Sequence, residues 1–252
     1  MGNYFLVEVK PTIPGSNQTG AFADGDVIFN WFAFDIPRGG AKLVSAQMVI
    51  RGTDATSQTA LDESYELYFA KDLSSGTTPG NLGTPNGSAG GIGFYNNIIG
   101  AIKVDGSETT HIDKLHLMTA SGTGDSGLPL VLQGEPNTGS ATGFDRIYVG
   151  CTSVDGVQDF STNVFTTGAV EGDDGSVSTL TVDDDSGGGA AATRKFMEGD
   201  VLITESDIVL GTIKSLTDTV ITFESGMTGG DLVDSLEIYN NSPITLQLGF
   251  EA

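Results

Sequence analysis

The sequence predicts an all-β protein, a jelly-roll-like β-sandwich with a small SH3-like β-barrel domain inserted near the C-terminus. Glycine accounts for 36 of 252 residues, about twice its usual ~7% share, which favours many tight turns. Short segments of alternating polar and apolar residues recur along the chain, whereas no window of a dozen residues shows a helical period. About eight such segments before residue 153, joined by loops of irregular length, favour a jelly roll over a simple meander.

Residues 26–37 (DVIFNWFAFDIP) are predicted to form the central strand of the sandwich. They contain the single tryptophan, Trp31, and three of the 13 phenylalanines. At a period of two, apolar side chains fall on both faces, and large aromatic residues on both faces require packing above and below. We therefore expect a strand that is covered on both sides and is not an edge strand.

The other alternating segments of the first two thirds of the chain are justified in the same way. They predict strands over residues 4–9, 42–51, 65–70, 97–104, 114–119, 128–133 and 146–152. Residues 74–93 (SSGTTPGNLGTPNGSAGGIG) instead form a long run of small and turn-forming types. A loop of this length is uncommon inside a compact domain. It is interpreted either as a loose surface excursion or as an arm that orders against a neighbouring subunit.

Five short strands are predicted close together near the C-terminus, and they are enough for a small SH3-like barrel. They cover residues 177–182, 196–203, 208–216, 219–223 and 236–239. A separate alternating segment, residues 243–250 (PITLQLGF), is predicted to return to the sandwich. We therefore assign residues 1–165 plus 242–252 to the sandwich and residues 166–241 to the barrel, because insertions are tolerated where chain ends lie close together.

The charge balance excludes two classes of partner. The chain has 33 acidic and 11 basic residues, a net charge of −22, and would repel the phosphates of nucleic acids and of anionic membranes. The sequence shows neither a secretory signal nor an apolar run near the ~20 residues of a membrane span. The protein is expected to be made in the cytosol and to stay soluble. Its one cysteine, Cys151, is expected to be a small buried apolar residue.

No metal or cofactor site is predicted. His111 and His116 are five residues apart, so in one extended strand they would point to opposite faces and could not share a metal ion. The acidic segments 171–174 and 182–189 lack the alternating spacing of an EF-hand calcium loop, because Asp183, Asp184 and Asp185 are consecutive. Solvated hairpin tips are the expected structures there.

Catalysis is not expected either. Residues 124–129 (GDSGLP) resemble the nucleophile motif of the chymotrypsin-like serine proteases, which would make Ser126 the nucleophile. That family requires a general-base histidine far upstream and an aspartate between the two, whereas both histidines lie within fifteen residues of Ser126. Leu128 also stands where the motif has glycine. A glycine-flanked turn is the better interpretation, and no spacing singles out a carboxylate pair of the glycosidase type.

The predicted barrel carries the more informative resemblance. Its pattern, GDVL at 199–202 followed by VLGTIKSLTDTVITF at 209–223, resembles the small β-barrel modules, and their KOW-like relatives, of tailed-bacteriophage structural proteins. KOW modules elsewhere bind RNA or protein, and the acidic composition argues against RNA.

The resemblance implies a virion structural protein at the capsid surface, an accessory decoration protein that stabilises the shell by bridging capsid subunits. Its implied partners are the major capsid protein or other virion proteins and further copies of itself, with a homotrimer as one arrangement. The alternatives are a tail or fibre component, or a jelly-roll carbohydrate-binding, receptor-binding protein.

Overall fold

The computed structural model describes most of the chain, and the statements below concern that part alone. The described residues are 2–51, 63–90, 95–112, 115–121, 126–139, 141–154, 158–169, 175, 177–183, 190–227 and 231–252. They form an almost entirely β structure in three antiparallel sheets, which confirms the predicted fold class. No helix in these ranges is long and apolar enough to span a membrane.

Two of the sheets pack face to face as a sandwich. The first contains β1 (Tyr4–Val9), β16 (Ile244–Glu251), β3 (Ala41–Arg51), β7 (Leu115–Ser121) and β6 (Thr109–Ile112), with β8 (Leu130–Leu132) beside β3. The second contains β2 (Val27–Pro37), β10 (Phe144–Ser153), β4 (Tyr65–Ala70) and β5 (Ile98–Val104), with β9 (Glu135–Pro136) beside β10. Two 3-10 helices lie at Gly15–Asn17 and Gly106–Glu108.

The strand order of this sandwich is that of a jelly roll. The eight long strands in chain order are β1, β2, β3, β4, β5, β7, β10 and β16. One sheet runs β1-β16-β3-β7 and the other β2-β10-β4-β5. The first sheet thus holds the first, eighth, third and sixth strands, and the second sheet holds the second, seventh, fourth and fifth, as in a double Greek key.

The main core lies between these two sheets because one face of each strand is apolar. In β16 every second residue, Ile244, Leu246, Leu248 and Phe250, is fully buried. The ring of Phe250 lies 6.3 Å from that of Phe34 in the opposite sheet, measured between centroids. Alternation along the sequence therefore translates directly into burial here.

The prediction that residues 26–37 form a doubly covered central strand is only half right. Among the described residues, β2 pairs with β10 alone and is an edge strand of its sheet. Its inner face, including Phe34 and Ile36, joins the main core. Val27 and Trp31 instead pack against Leu82 of the glycine-rich segment. An apolar pattern reports which faces are covered, and it carries no information about hydrogen bonding at the strand edge.

The third sheet is formed by residues that lie between β10 and β16 in the chain. It contains β11 (Thr179–Thr181), β14 (Val220–Phe223), β13 (Val209–Leu216), β12 (Val201–Thr204) and β15 (Ile238–Asn240), with the short helix α1 (Ala192–Lys195) before β12. Its own apolar cluster extends from Val164 to Ile238, whereas the main core includes Phe160 and resumes at Ile244. The SH3-like character of this sheet and the domain boundaries stay predictions.

Candidate functional site

The two histidines lie in a β-hairpin, which the sequence reasoning did not anticipate. His111 belongs to β6 and His116 to β7, and the antiparallel register places their Cα atoms directly opposite one another. The premise that both occupy one extended strand is therefore wrong, because the chain reverses between them. The side chain of His116 is buried on the core face of β7. Within the part of the chain that the structure describes, no group of three or more His, Cys, Asp and Glu side chains could hold a metal ion.

Ser126, the residue singled out by the GDSGLP motif, has the role of a turn residue. Its hydroxyl oxygen accepts a hydrogen bond from the backbone N–H of Leu128 at 3.4 Å. Its carbonyl oxygen accepts another from the N–H of Lys103 at 3.0 Å, which places the serine beside β5. His116 lies on β7 in the other sheet. Gly124 and Asp125 lie outside the described residues.

The acidic segments fall mostly outside the described residues, which include neither 171–174 nor 184–189. Of the three consecutive aspartates, Asp183 is placed, and its Oδ1 accepts a hydrogen bond from the N–H of Phe165 at 2.9 Å.

Cys151 is fully buried in the main core, and this burial raises the pKa of its thiol well above its usual value. Its position agrees with the expected small apolar residue.

The described part of the glycine-rich segment, residues 74–90, packs against its own chain. The side chain of Asn30 in β2 accepts a hydrogen bond from the N–H of Leu82 at 3.0 Å. Leu82 packs on Trp31. It also lies close to Gly150, because a Cβ added to that glycine would be only 2.7 Å from the Leu82 side chain. These residues are not a loose surface excursion, because they cover the outer face of the β2-β10-β4-β5 sheet. The ordering of the segment against a neighbouring subunit stays a prediction. Residues 91–93 lie outside the described part.

A polar depression opens at one end of the sandwich. It has a volume of about 410 Å³, and its lining includes Arg38, Lys71, Gln133, Glu135 and Asp145. Asp145 is almost fully buried although it carries a carboxylate. Its Oδ2 accepts a hydrogen bond from the N–H of Gly39 at 3.0 Å, and Nε of Arg38 lies 3.9 Å from its Oδ1. On the rim, the ammonium of Lys71 donates to Glu135 at 2.9 Å.

The periodicity of the sequence could have shown that the carboxylate of Asp145 is buried. Asp145 alternates with Ile147, Val149 and Cys151 on the inner face of β10. A charged residue on an otherwise apolar face requires a paired or hydrogen-bonded environment, because an isolated buried charge is strongly unfavourable. The N–H of Gly39 satisfies one carboxylate oxygen of Asp145, whereas Oδ1 accepts no hydrogen bond within the described part of the chain and has the Arg38 guanidinium nearby at 3.9 Å.

A second polar cleft lies where the sandwich meets the third sheet. It has a volume of about 210 Å³, and its lining includes Lys10, Arg51, Asp200 and Asn240. The guanidinium of Arg51 in β3 forms an ion pair with Asp200, which precedes β12. The other carboxylate oxygen of Asp200 accepts from the N–H of Met197 at 2.9 Å. The cleft is thus closed by a charge pair that joins the two parts of the molecule.

Comparisons with known proteins give only distant similarity. No family model matches the chain, and no curated protein matches it. Three solved structures of infectious bursal disease virus are similar to it at 10% identity over 99% of this chain: a VP2 subviral particle (TM-score 0.19), the Gx strain (0.18) and the Gt strain (0.18). The matched parts cover 40%, 42% and 40% of those chains, so this chain spans about two fifths of their length.

Proposed function

We propose that the chain is a virion structural protein of a tailed bacteriophage, an accessory protein that decorates the capsid. It acts through binding energy and performs no catalysis. Many copies bind the major capsid protein at the outside of the shell, bridge neighbouring subunits and add free energy to the closed particle. The protein associates with further copies of itself in doing so.

The observation that carries this proposal is the jelly-roll strand order of the sandwich. The two sheets, β1-β16-β3-β7 and β2-β10-β4-β5, have the architecture used by viral capsid domains and by lectins. Fold alone does not fix function. The segment 199–223, which contributes β12, β13 and β14 to the third sheet, resembles phage structural modules and favours the virion over the lectin.

The experiment is quantitative mass spectrometry of purified phage particles from the source of this sequence. A decoration protein is expected at hundreds of copies per particle, in a fixed ratio to the major capsid protein. A dozen copies or fewer would place the protein in the tail and overturn the decoration role. Absence from particles that are otherwise complete would overturn the virion assignment altogether.

Carbohydrate binding is the second candidate, and the depression around Asp145 favours it. Arg38, Lys71 and Gln133 supply hydrogen-bond donors, while Glu135 supplies an acceptor, a mixture that suits sugar hydroxyl groups. Phe144, next to Asp145 in β10, is an exposed aromatic residue that lies outside the lining of the depression. Glycan-array binding that is lost in Gln133→Ala but retained in a distant surface variant such as Val233→Ala would support this function. No binding to any glycan would remove it.

A further inference from the structure

Strand β1 is a regular sheet edge in the described part of the chain. Its register with β16 runs without interruption from Tyr4 opposite Glu251 to Val9 opposite Leu246, with no bulge. Among the described residues β1 pairs with β16 only. Such an edge presents unpaired N–H and C=O groups to any strand that approaches.

Among the described residues, two other edges of the sandwich are covered near one end each, and the remaining one is short. Val27 at the start of β2 exchanges backbone hydrogen bonds with the glycine-rich segment, donating to Gly87 and accepting from Asn86 at 2.9 Å each. On β5, the N–H of Lys103 donates to Ser126 at 3.0 Å. Strand β6 has only four residues. Of the two edges without such cover in the described chain, β1, with six residues, is therefore the longer.

Two of the three outward side chains of β1, Tyr4 and Leu6, carry no charge, and the third, Glu8, is paired with Lys10. Tyr4 is 72% exposed and Leu6 is 63% exposed. Natural edge strands usually carry a lysine, a proline or a bulge, which prevents them from pairing with a strand of another chain. In β1 the first lysine and proline, Lys10 and Pro11, come only after its last residue. Two exposed apolar residues next to each other on one face of an uninterrupted strand favour contact with another protein surface.

The charges beside β1 are neutralised locally, in contrast to the chain as a whole. The net charge is −22, so two copies repel one another over most of their surfaces. Within and beside β1, however, the ammonium of Lys10 lies 3.0 Å from Glu8, and Lys42 forms an ion pair with Glu251. A second copy can therefore approach this edge without bringing unpaired carboxylates together.

We propose that β1 binds β1 of a second copy of this chain, antiparallel across a two-fold axis, with Leu6 opposite Leu6. A two-fold axis perpendicular to a sheet makes two identical edge strands antiparallel, so the same backbone groups satisfy one another. The pairing joins two β1-β16-β3-β7 sheets into one continuous sheet. It rests on the self-association included in the proposed function and names the surface responsible.

The test is sedimentation equilibrium of the full chain over a wide concentration range, at moderate salt. The wild type is expected as a dimer of twice its 26.1 kDa mass. Leu6→Lys places two like charges opposite one another, which destabilises a cross-strand pair, and is expected to weaken dimerisation at least tenfold. Leu6→Glu is expected to do the same. An equimolar mixture of the two variants is expected to regain the dimer, because lysine then faces glutamate across the axis.

Val209→Lys is the matched control, because Val209 is another exposed apolar strand residue but lies on β13 of the third sheet. It is expected to dimerise like the wild type. A monomeric wild type, an unchanged Leu6→Lys dimer, or variants that do not recover on mixing would each overturn the β1 contact. None of these results bears on whether the protein is present in virions, which particle composition decides separately.

Discussion

Gly15 lies directly against the backbone of Thr204, so closely that a Cβ on the glycine would be 2.1 Å from the Thr204 carbonyl oxygen. The two residues belong to different parts of the molecule: Gly15 follows β1 of the sandwich, and Thr204 ends β12 of the third sheet. Polar contacts flank them on both sides. The hydroxyl of Ser16 donates to Asp207 at 3.0 Å, and the amide of Gln18 donates to the Asn240 carbonyl at 3.0 Å.

Gly15→Ala is therefore expected to destabilise the protein. Both contacting groups are main-chain atoms and cannot move aside as a flexible side chain would, so the overpacking is expected to cost about 1–3 kcal/mol. Urea unfolding followed by the fluorescence of Trp31 measures this cost. Gly20→Ala is the matched control, because its nearest neighbour is the Asn86 side-chain nitrogen at 3.8 Å. Equal unfolding midpoints for the two variants would contradict the close contact.

The Arg51–Asp200 ion pair is expected to couple the sandwich energetically to the third sheet. The Asp200 side chain is 4% exposed and that of Arg51 is 26% exposed, so removing one partner leaves a largely buried charge unpaired. A double-mutant cycle with Arg51→Met and Asp200→Asn is expected to give a coupling energy of about 2 kcal/mol. The exposed Glu8–Lys10 pair is the control, with an expected coupling below about 0.5 kcal/mol. Similar couplings for both pairs would refute the structural role of Asp200.

Cys151 is expected to resist thiol reagents until the sandwich unfolds. Its side chain is fully buried, and burial raises the pKa of the thiol, so little of the reactive thiolate is present. The native protein is expected to react at least about a hundredfold more slowly than the protein in urea. Rapid stoichiometric labelling of the native protein with an aromatic disulfide reagent would show that the core around Cys151 is open.

The phenol of Tyr148 is expected to ionise at a higher pH than that of an ordinary tyrosine. Burial, followed by hydrogen bonding and charge from Asp72, raises the pKa of Tyr148 to about 12. Because the pKa lies above its value of about 10 in the unfolded chain, the associated stability is fully present below pH 10 and is lost as the pH rises towards 12.

Spectrophotometric titration checks this expectation through the absorbance of tyrosinate. Tyr148→Phe should remove a component that titrates near pH 12, and Asp72→Asn should move that component to lower pH. A wild-type titration identical to that of the Tyr148→Phe variant would contradict the prediction.

The predicted division of the chain into a sandwich and an inserted barrel is tested by producing the two domains as separate proteins. Phe165 and Glu237 form an isolated β-bridge, so the two segments that enter and leave residues 166–241 lie side by side. Residues 166–241 are expected to fold alone with a cooperative transition, and residues 1–165 and 242–252 are expected to fold when joined by a short glycine-serine linker. Circular dichroism and thermal melting of both proteins are the measurements. Non-cooperative melting of either would contradict the predicted boundaries.

Periodicity located most strands because most of them have an apolar and a polar face. Tyr4–Val9 and Tyr65–Ala70 agree residue for residue with the predicted segments, and β16 begins at Ile244, one residue after the predicted start. Strands β6 and β9 were missed because segments of four and two residues are too short to show a period. The helix α1 was missed for the same reason, since four residues hold barely one turn.

Contacts between distant segments were not predictable in this way. The cover that Leu82 gives to Trp31, the cross-strand placement of His111 and His116, and the approach of Thr204 to Gly15 all join residues whose separation in the chain carries no pattern. The polar clusters at Asp145 and Asp200 likewise draw their partners from remote strands. The position of each carboxylate in the chain is read directly from the sequence, but the residues that contact it in space are not.

By itself, the sequence determined the all-β class, the positions of the strands and the strongly acidic character of the protein, because these properties depend on composition and on local alternation. Only the tertiary structure decided that β2 lies at a sheet edge, that β1 pairs with no strand but β16 among the described residues, and that an ion pair from Arg51 closes the junction with the third sheet. The reason is physical: alternation specifies which face of a strand avoids water, whereas strand order and edge exposure depend on how the whole chain closes upon itself.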